Sequence, residues 1–150
     1  MLVYVDASCF NRPFDDQRQE RIERETEAVL LVLQRVETGN DDLAWSPALT
    51  LELSAHPEEE IREQLLTWAA RAHVVMATPP AVHERVKTFV VEGLKSLDAA
   101  HLAFAEAAGC GVLLTCDDRF LRRSQTLDLS VRVLNPVQYV TETSHGGTDD

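Results

Sequence analysis

The chain has 150 residues, 45% of them hydrophobic, which suits one domain with a buried core. Fourteen Lys and Arg against 25 Asp and Glu give a net charge of -11, which excludes a surface that coats nucleic acid broadly and leaves room only for a focused basic patch. Cys9, Cys110 and Cys116 are odd in number and lack paired zinc spacing, so free buried thiols in a reducing, cytoplasmic setting are expected, and Met1 to Val5 is too short for a signal peptide or membrane span.

Leu2-Val3-Tyr4-Val5 is a continuous apolar run, the pattern of a strand covered on both faces, and it ends at Asp6. After the turn at Asn11-Arg12-Pro13, Ile22, Val29, Val32, Leu33 and Val36 recur at helical spacing until Thr38-Gly39-Asn40 stops the helix. Leu43-Ala44-Trp45 reads as a second strand, and Ser46-Pro47 supplies an N-cap and a first-turn proline for a helix that carries Glu52. His56-Pro57 breaks that helix. A further helix is predicted over 58–72, then a strand at Val74-Val75-Met76, and Thr78-Pro79-Pro80 opens a helix that closes at Gly93.

Ser96 is read as the cap of the next helix, in which Leu97, His101, Phe104 and Ala108 keep a helical period up to Gly109. Val112 to Thr115 is a fourth strand, Asp118 to Ser124 a short helix, and Val131 to Leu134 a fifth strand closed by Asn135-Pro136. One domain over 1–143 followed by a disordered tail over 144–150 is expected. Strands alternating with helices imply an α/β sandwich with a mainly parallel sheet. The absence of a Gly-rich phosphate loop argues against dinucleotide and nucleoside triphosphate binding.

Four carboxylates stand where the apolar runs end or a helix begins: Asp6, Glu52, Asp98 and Asp117. In open α/β sheets the crevice at the carboxyl ends of the strands is where ligands bind. Acids gathered there repel one another unless cations neutralise them, and hard cations such as Mg²⁺ and Mn²⁺ prefer carboxylate oxygens. Each residue also has a plainer reading. Asp6 fits a cap, Glu52 a solvated helix face, and Asp98 a favourable charge in a first helical turn. Ser8 is placed to bond the Asp6 carboxylate or to cap the next helix. His101 lies one turn beyond Asp98 on the same face, where a packed, hydrogen-bonded histidine is the simpler reading. Of Asp117 and Asp118, one is expected to cap the short helix and the other to stay free for chemistry.

The order Asp6-Ala7-Ser8, Glu52, Asp98-Ala99-Ala100-His101-Leu102-Ala103 and Thr115-Cys116-Asp117-Asp118-Arg119-Phe120 resembles the PIN domain family over nearly the whole chain, in particular its small single-domain prokaryotic members of the VapC toxin type. The resemblance implies a three-layer α/β/α sandwich with a mainly parallel central sheet and an acidic Mg²⁺ or Mn²⁺ site that cleaves RNA. It also implies Asp6, Glu52, Asp98 and Asp117 as the catalytic, metal-binding acids, Ser8 and Thr115 as their hydrogen-bonding neighbours, and Asp118 as an additional acid. An antitoxin protein and a homodimer are the partners it brings with it. Arg119 stands where the family often has a further acid. Arg12, Arg119, Arg122 and Arg123 flank the site and are candidates for phosphate contacts, although surface arginines of no special role account for them as well. The rival readings are a catalytically silent domain serving as an RNA- or protein-interaction module, and a phosphoacceptor receiver, which normally wants paired acids after its first strand.

Overall fold

A computed structural model describes the backbone of residues 1–148 and the side chains of residues 1–144. Five strands, Leu2–Val5 (β1), Asp42–Trp45 (β2), Val74–Val75 (β3), Val112–Leu114 (β4) and Arg132–Leu134 (β5), form one sheet in the order β3-β2-β1-β4-β5, and every pairing is parallel. Strand β1 is central, with Tyr4 opposite Ala44 on one side and Leu113 on the other. Because both faces are covered, Val3, Tyr4 and Val5 are buried without the alternation of a half-solvated strand.

Among the described residues eight α-helices surround the sheet: Ala7–Asn11 (α1), Glu20–Thr38 (α2), Pro47–Leu53 (α3), Glu59–Leu66 (α4), Pro80–Val91 (α5), Ser96–Ala107 (α6), Asp118–Ser124 (α7) and Pro136–Thr148 (α8). The crossover through α2 leads from β1 outward to β2, whereas α5 and α6 lead back across the sheet to β4. Right-handed crossovers in opposite directions lie on opposite faces, which yields three layers. α8 packs on α2, and α5 packs on α6. None of the described helices is long and apolar enough to cross a membrane.

The strand order settles one rivalry, because a receiver of the flavodoxin-like type runs 2-1-3-4-5 and this sheet does not. Between β1 and β4 the chain's direction of travel reverses. That topological switch point opens a crevice beyond the carboxyl ends of both strands. Asp6 and Thr115 directly follow these two strands.

Most predicted boundaries agree with the structure to within one or two residues; the short helix α1, to which the sequence reading assigns no element, and three further features differ. The sequence puts Ser96 at the cap of α6, but Lys95 holds the extended cap position and no side chain caps the helix. Gly93, at φ 109, turns the chain out of α5, and the Leu94 amide bonds back to Phe89 O, so α6 starts one residue earlier in its turn than a serine cap would require. The helix predicted over 58–72 is α4 plus a 3-10 turn over Thr67–Arg71. α8 is an element the periodicity does not announce. The Asn135 Oδ1 accepts from the Val137 amide, Pro136 occupies the first turn, and Tyr139 donates its hydroxyl to the buried Asp41 carboxylate. The expected tail over 144–150 coincides with the end of α8, and residues 149 and 150 lie outside the described residues.

Leu113 is fully buried in β4, and Leu51 on α3 is 68% exposed. Leu113→Ala is expected to lower the unfolding free energy by about 2–5 kcal/mol, from lost transfer energy and the cavity left behind. Leu51→Ala is expected to stay within about 0.5 kcal/mol of the parent. Urea unfolding of the two variants measures both values.

Candidate metal centre

Asp6 is the N-cap of α1, and its Oδ1 accepts from the Cys9 amide at 3.2 Å and from the Ser8 hydroxyl at 2.5 Å. Its counterpart beyond the end of β4 is Asp117, the N-cap of α7, whose Oδ1 accepts from the Arg119 and Phe120 amides at 2.9 and 3.2 Å. In both residues the cap fixes the short side chain through one oxygen and leaves the other for further partners. Capping and cation binding are therefore compatible in one aspartate.

Ser8 and Thr115 join these two acids. Asp117 donates its amide to Thr115 Oγ1 at 3.1 Å, Thr115 Oγ1 lies 3.2 Å from Ser8 Oγ, and Ser8 donates to Asp6. Each hydroxyl passes its one proton on, Thr115 to Ser8 and Ser8 to Asp6, so the chain is satisfied when it runs from Asp117 N–H to the Asp6 carboxylate. Ser8 Oγ also accepts the Cys116 amide at 3.0 Å, which ties α1 to the end of β4. Cys9 and Cys116 meet behind this chain as buried free thiols, Sγ to Sγ 3.6 Å.

Glu52 on α3 and Asp98 in the first turn of α6 complete the set. Glu52 Oε1 lies 2.6 Å from His101 Nε2, and His101, only 1% exposed, sits one turn beyond Asp98. Burial pushes the Asp98 carboxyl up to about 6, reinforced by the charges of Asp117, Asp6 and Glu52. Burial also raises Asp6, against the hydrogen bonds from Ser8 and Cys9 that lower it. Among the described residues no three Asp, Glu, His or Cys side chains converge as a ready-made cation cage. The donor chemistry nonetheless fits a hard divalent ion, which takes carboxylate oxygens, keeps several waters and would relieve the repulsion on Asp98.

Two candidates have other tasks. The Arg12 guanidinium, expected to contact phosphate, is bound to Glu25 at 3.1 Å and Asp15 at 3.0 Å. Asp118, expected as a further acid, takes the Arg21 guanidinium in a two-pronged pair at 2.7 and 2.8 Å, which lowers its pKa. The buried Glu25 that draws Arg12 in is absent from the sequence-based site. It stands one helical turn from Arg21 and Val29, a spacing that reads as an ordinary solvated face. By contrast, Arg119, Arg122 and Arg123 on α7, the helix that Asp117 caps, form no ion pair among the described residues and line a groove together with Thr126.

The raised carboxyl of Asp98 has a consequence for stability. Its neutral form is favoured in the folded state, so folding takes up a proton between its ordinary 3.8 and about 6, and stability falls as pH rises through that window. Asp98→Asn is expected to gain stability relative to the parent between about pH 4 and pH 7. Added Mn²⁺ should recover the loss in the parent alone. Denaturant titrations at the two pH values, with and without the ion, measure this.

The PIN domain profile matches residues 3–125. No curated protein matches the chain. A chain of VapBC-1 from nontypeable Haemophilus influenzae superposes with a TM-score of 0.59 at 13% identity, over 91% of this chain and 98% of that one. A chain of VapBC2 from Rickettsia felis, in a structure bound to a DNA fragment from their promoter, superposes with a TM-score of 0.55 at 13% identity, over 90% and 98%. At such identity these likenesses concern the fold, and the assignment rests on the profile: the chain, with its five-stranded parallel sheet and its acids at the switch point, belongs to the PIN domain family.

Proposed function

We propose that this protein is a Mg²⁺- or Mn²⁺-dependent endoribonuclease in which Asp6, Glu52, Asp98 and Asp117 hold one or two ions. The observation that carries the reading is geometric: Asp6 and Asp117 cap the helices that leave β1 and β4 at the switch point and are linked through Ser8 and Thr115, while Glu52 is held by His101 one turn from Asp98. Such clustering is costly for folding alone and useful for binding a cation. Membership of a family whose members are generally nucleases supports it. When bound, such an ion activates water and offsets charge on the scissile phosphate.

The protein side of the reaction is positioning. Asp6 and Asp117 are held by helix-cap amides, and Ser8 and Thr115 link them across the β1–β4 crevice. No side chain is assigned as a nucleophile. Arg119, Arg122 and Arg123 lie beside Asp117 on one short helix and supply phosphate contacts that hold single-stranded RNA over the acids. They are a focused basic strip on an acidic protein.

The likeness to VapBC chains supports a toxin of a toxin-antitoxin pair. In this reading an antitoxin segment blocks the acids by inserting a guanidinium among them, and a homodimer forms through exposed helix faces.

Incubation with a panel of fluorescent RNAs is expected to show cleavage in Mg²⁺ or Mn²⁺ that stops in EDTA and falls at least about 100-fold in a folded Asp6→Asn, Asp98→Asn variant. No cleavage together with no calorimetric Mn²⁺ binding overturns the nuclease and leaves an interaction module. Replacing Arg119, Arg122 and Arg123 with Gln is expected to weaken RNA binding across sequences and to flatten the plot of log affinity against log salt by about 0.7 for each phosphate no longer neutralised.

A further inference from the structure

Glu52 differs from the other acids in how it is held. Asp6 and Asp117 are short side chains fixed by backbone amides, whereas Glu52 projects from the last turn of the seven-residue α3 on a longer stem with more rotamers and receives no amide. Its single side-chain partner among the described residues is His101. The imidazole in turn is held through Nδ1 by the Tyr4 hydroxyl at 2.6 Å, and the same hydroxyl lies 2.6 Å from Ser46 Oγ. Ser46 is the N-cap of α3 and accepts from the Leu49 amide. Ser46, Tyr4 and His101 are all fully buried, so each must find partners inside the protein.

One arrangement of protons satisfies every member. The buried Ser46 hydroxyl has Tyr4 as its only acceptor among the described residues, so its proton goes to Tyr4. Tyr4 then gives its own proton to Nδ1, and the imidazole carries its proton on Nε2 and donates it to Glu52 Oε1. Phenylalanine and leucine would fill the same volumes with no hydrogen-bonding demand. What the polar residues add is direction.

We propose that Ser46, Tyr4 and His101 form a buried hydrogen-bonded relay that positions the Glu52 carboxylate for cation binding, with Tyr4 selecting the histidine tautomer. The relay rests on the acid-site reading above. It spans three separate parts of the fold: β1, the cap of α3, and α6. Its first members lie at the strand ends and its last at the acids, so the central strand reads out directly on a candidate ligand. His101 and Tyr4 act through Glu52 and are positioning residues. The relay leaves Glu52 Oε2 outside the His101 contact and available to an ion.

The test combines a metal-free spectroscopic measurement with Mn²⁺ binding in the absence of RNA. Long-range ¹H–¹⁵N spectra of the parent are expected to show His101 as the Nε2–H tautomer, assigned by its loss in His101→Gln. Calorimetry is expected to show Mn²⁺ affinity reduced about tenfold in Tyr4→Phe and by at least as much in His101→Gln, the scale of loss seen for partners that orient metal ligands. Adding Tyr4→Phe to Glu52→Gln should produce no further loss, because the relay then has nothing to position. An Nδ1–H tautomer in the parent overturns the relay even where the variants fail to fold. Unchanged Mn²⁺ affinity in folded Tyr4→Phe, alongside a loss in Glu52→Gln, overturns the relay and leaves the acid site standing. Failure of the parent itself to bind Mn²⁺ overturns the acid site and the relay with it.

Discussion

Burial of β1 on both faces and both edges is the constraint from which the site follows. A central strand has no freedom to slip, since β2 and β4 fix its register through Tyr4 opposite Ala44 and Leu113. Its last residues therefore deliver Asp6 to one place beside the end of β4. Chain reversal at that seam opens the crevice, and helices α1 and α7 start from it with aspartates as their caps. A single geometric fact thus supplies both the location of the acids and the means of holding two of them.

Holding like charges together has an electrostatic cost, and the protein meets it unevenly. Asp6 and Asp117 receive amide and hydroxyl donors, and Asp98 sits at a helix start where the macrodipole favours its charge. Even so the carboxyl of Asp98 lies near 6, because burial and three neighbouring acids outweigh the helix. Two of the chain's arginines are engaged elsewhere. Arg12 and Arg21 are drawn to Glu25 and Asp118, which brace α1, α2 and α7 against one another, and Asn135 bonds the same Glu25 from the start of α8. The Arg12–Glu25 pair, with Glu25 buried, contributes orientation more than net stability because desolvation offsets much of its attraction, and the half-exposed Arg21–Asp118 pair adds little.

The two hydroxyl chains share a logic. Each starts at a backbone amide, passes through side chains that both accept and donate, and terminates on a carboxylate: Asp117 N–H through Thr115 and Ser8 to Asp6, and Leu49 N–H through Ser46, Tyr4 and His101 to Glu52. Backbone amides have fixed directions, so both chains transfer the rigidity of the sheet and caps to side chains that would otherwise explore several rotamers.

Much of this was legible in the order of residues. The apolar runs at 2–5, 43–45 and 112–115 mark strands because period and length are local properties, and Ser46-Pro47 marks a helix start for the same reason. The four acids, and Ser8 and Thr115 beside them, could be named because they stand next to those boundaries. α8 was not legible, since its anchoring depends on Tyr139 meeting Asp41 across about a hundred residues. Nor was the fate of Arg12 and Asp118, whose partners are remote or on another helix, nor the link from Tyr4 through His101 to Glu52. The sequence by itself determined the elements and which side chains end them, because propensity, capping and hydrophobic period act within a few residues. The tertiary structure alone decided which charges were spent on one another and which acids were left to face one another, because pairing energies depend on distance and burial that only the folded sheet creates.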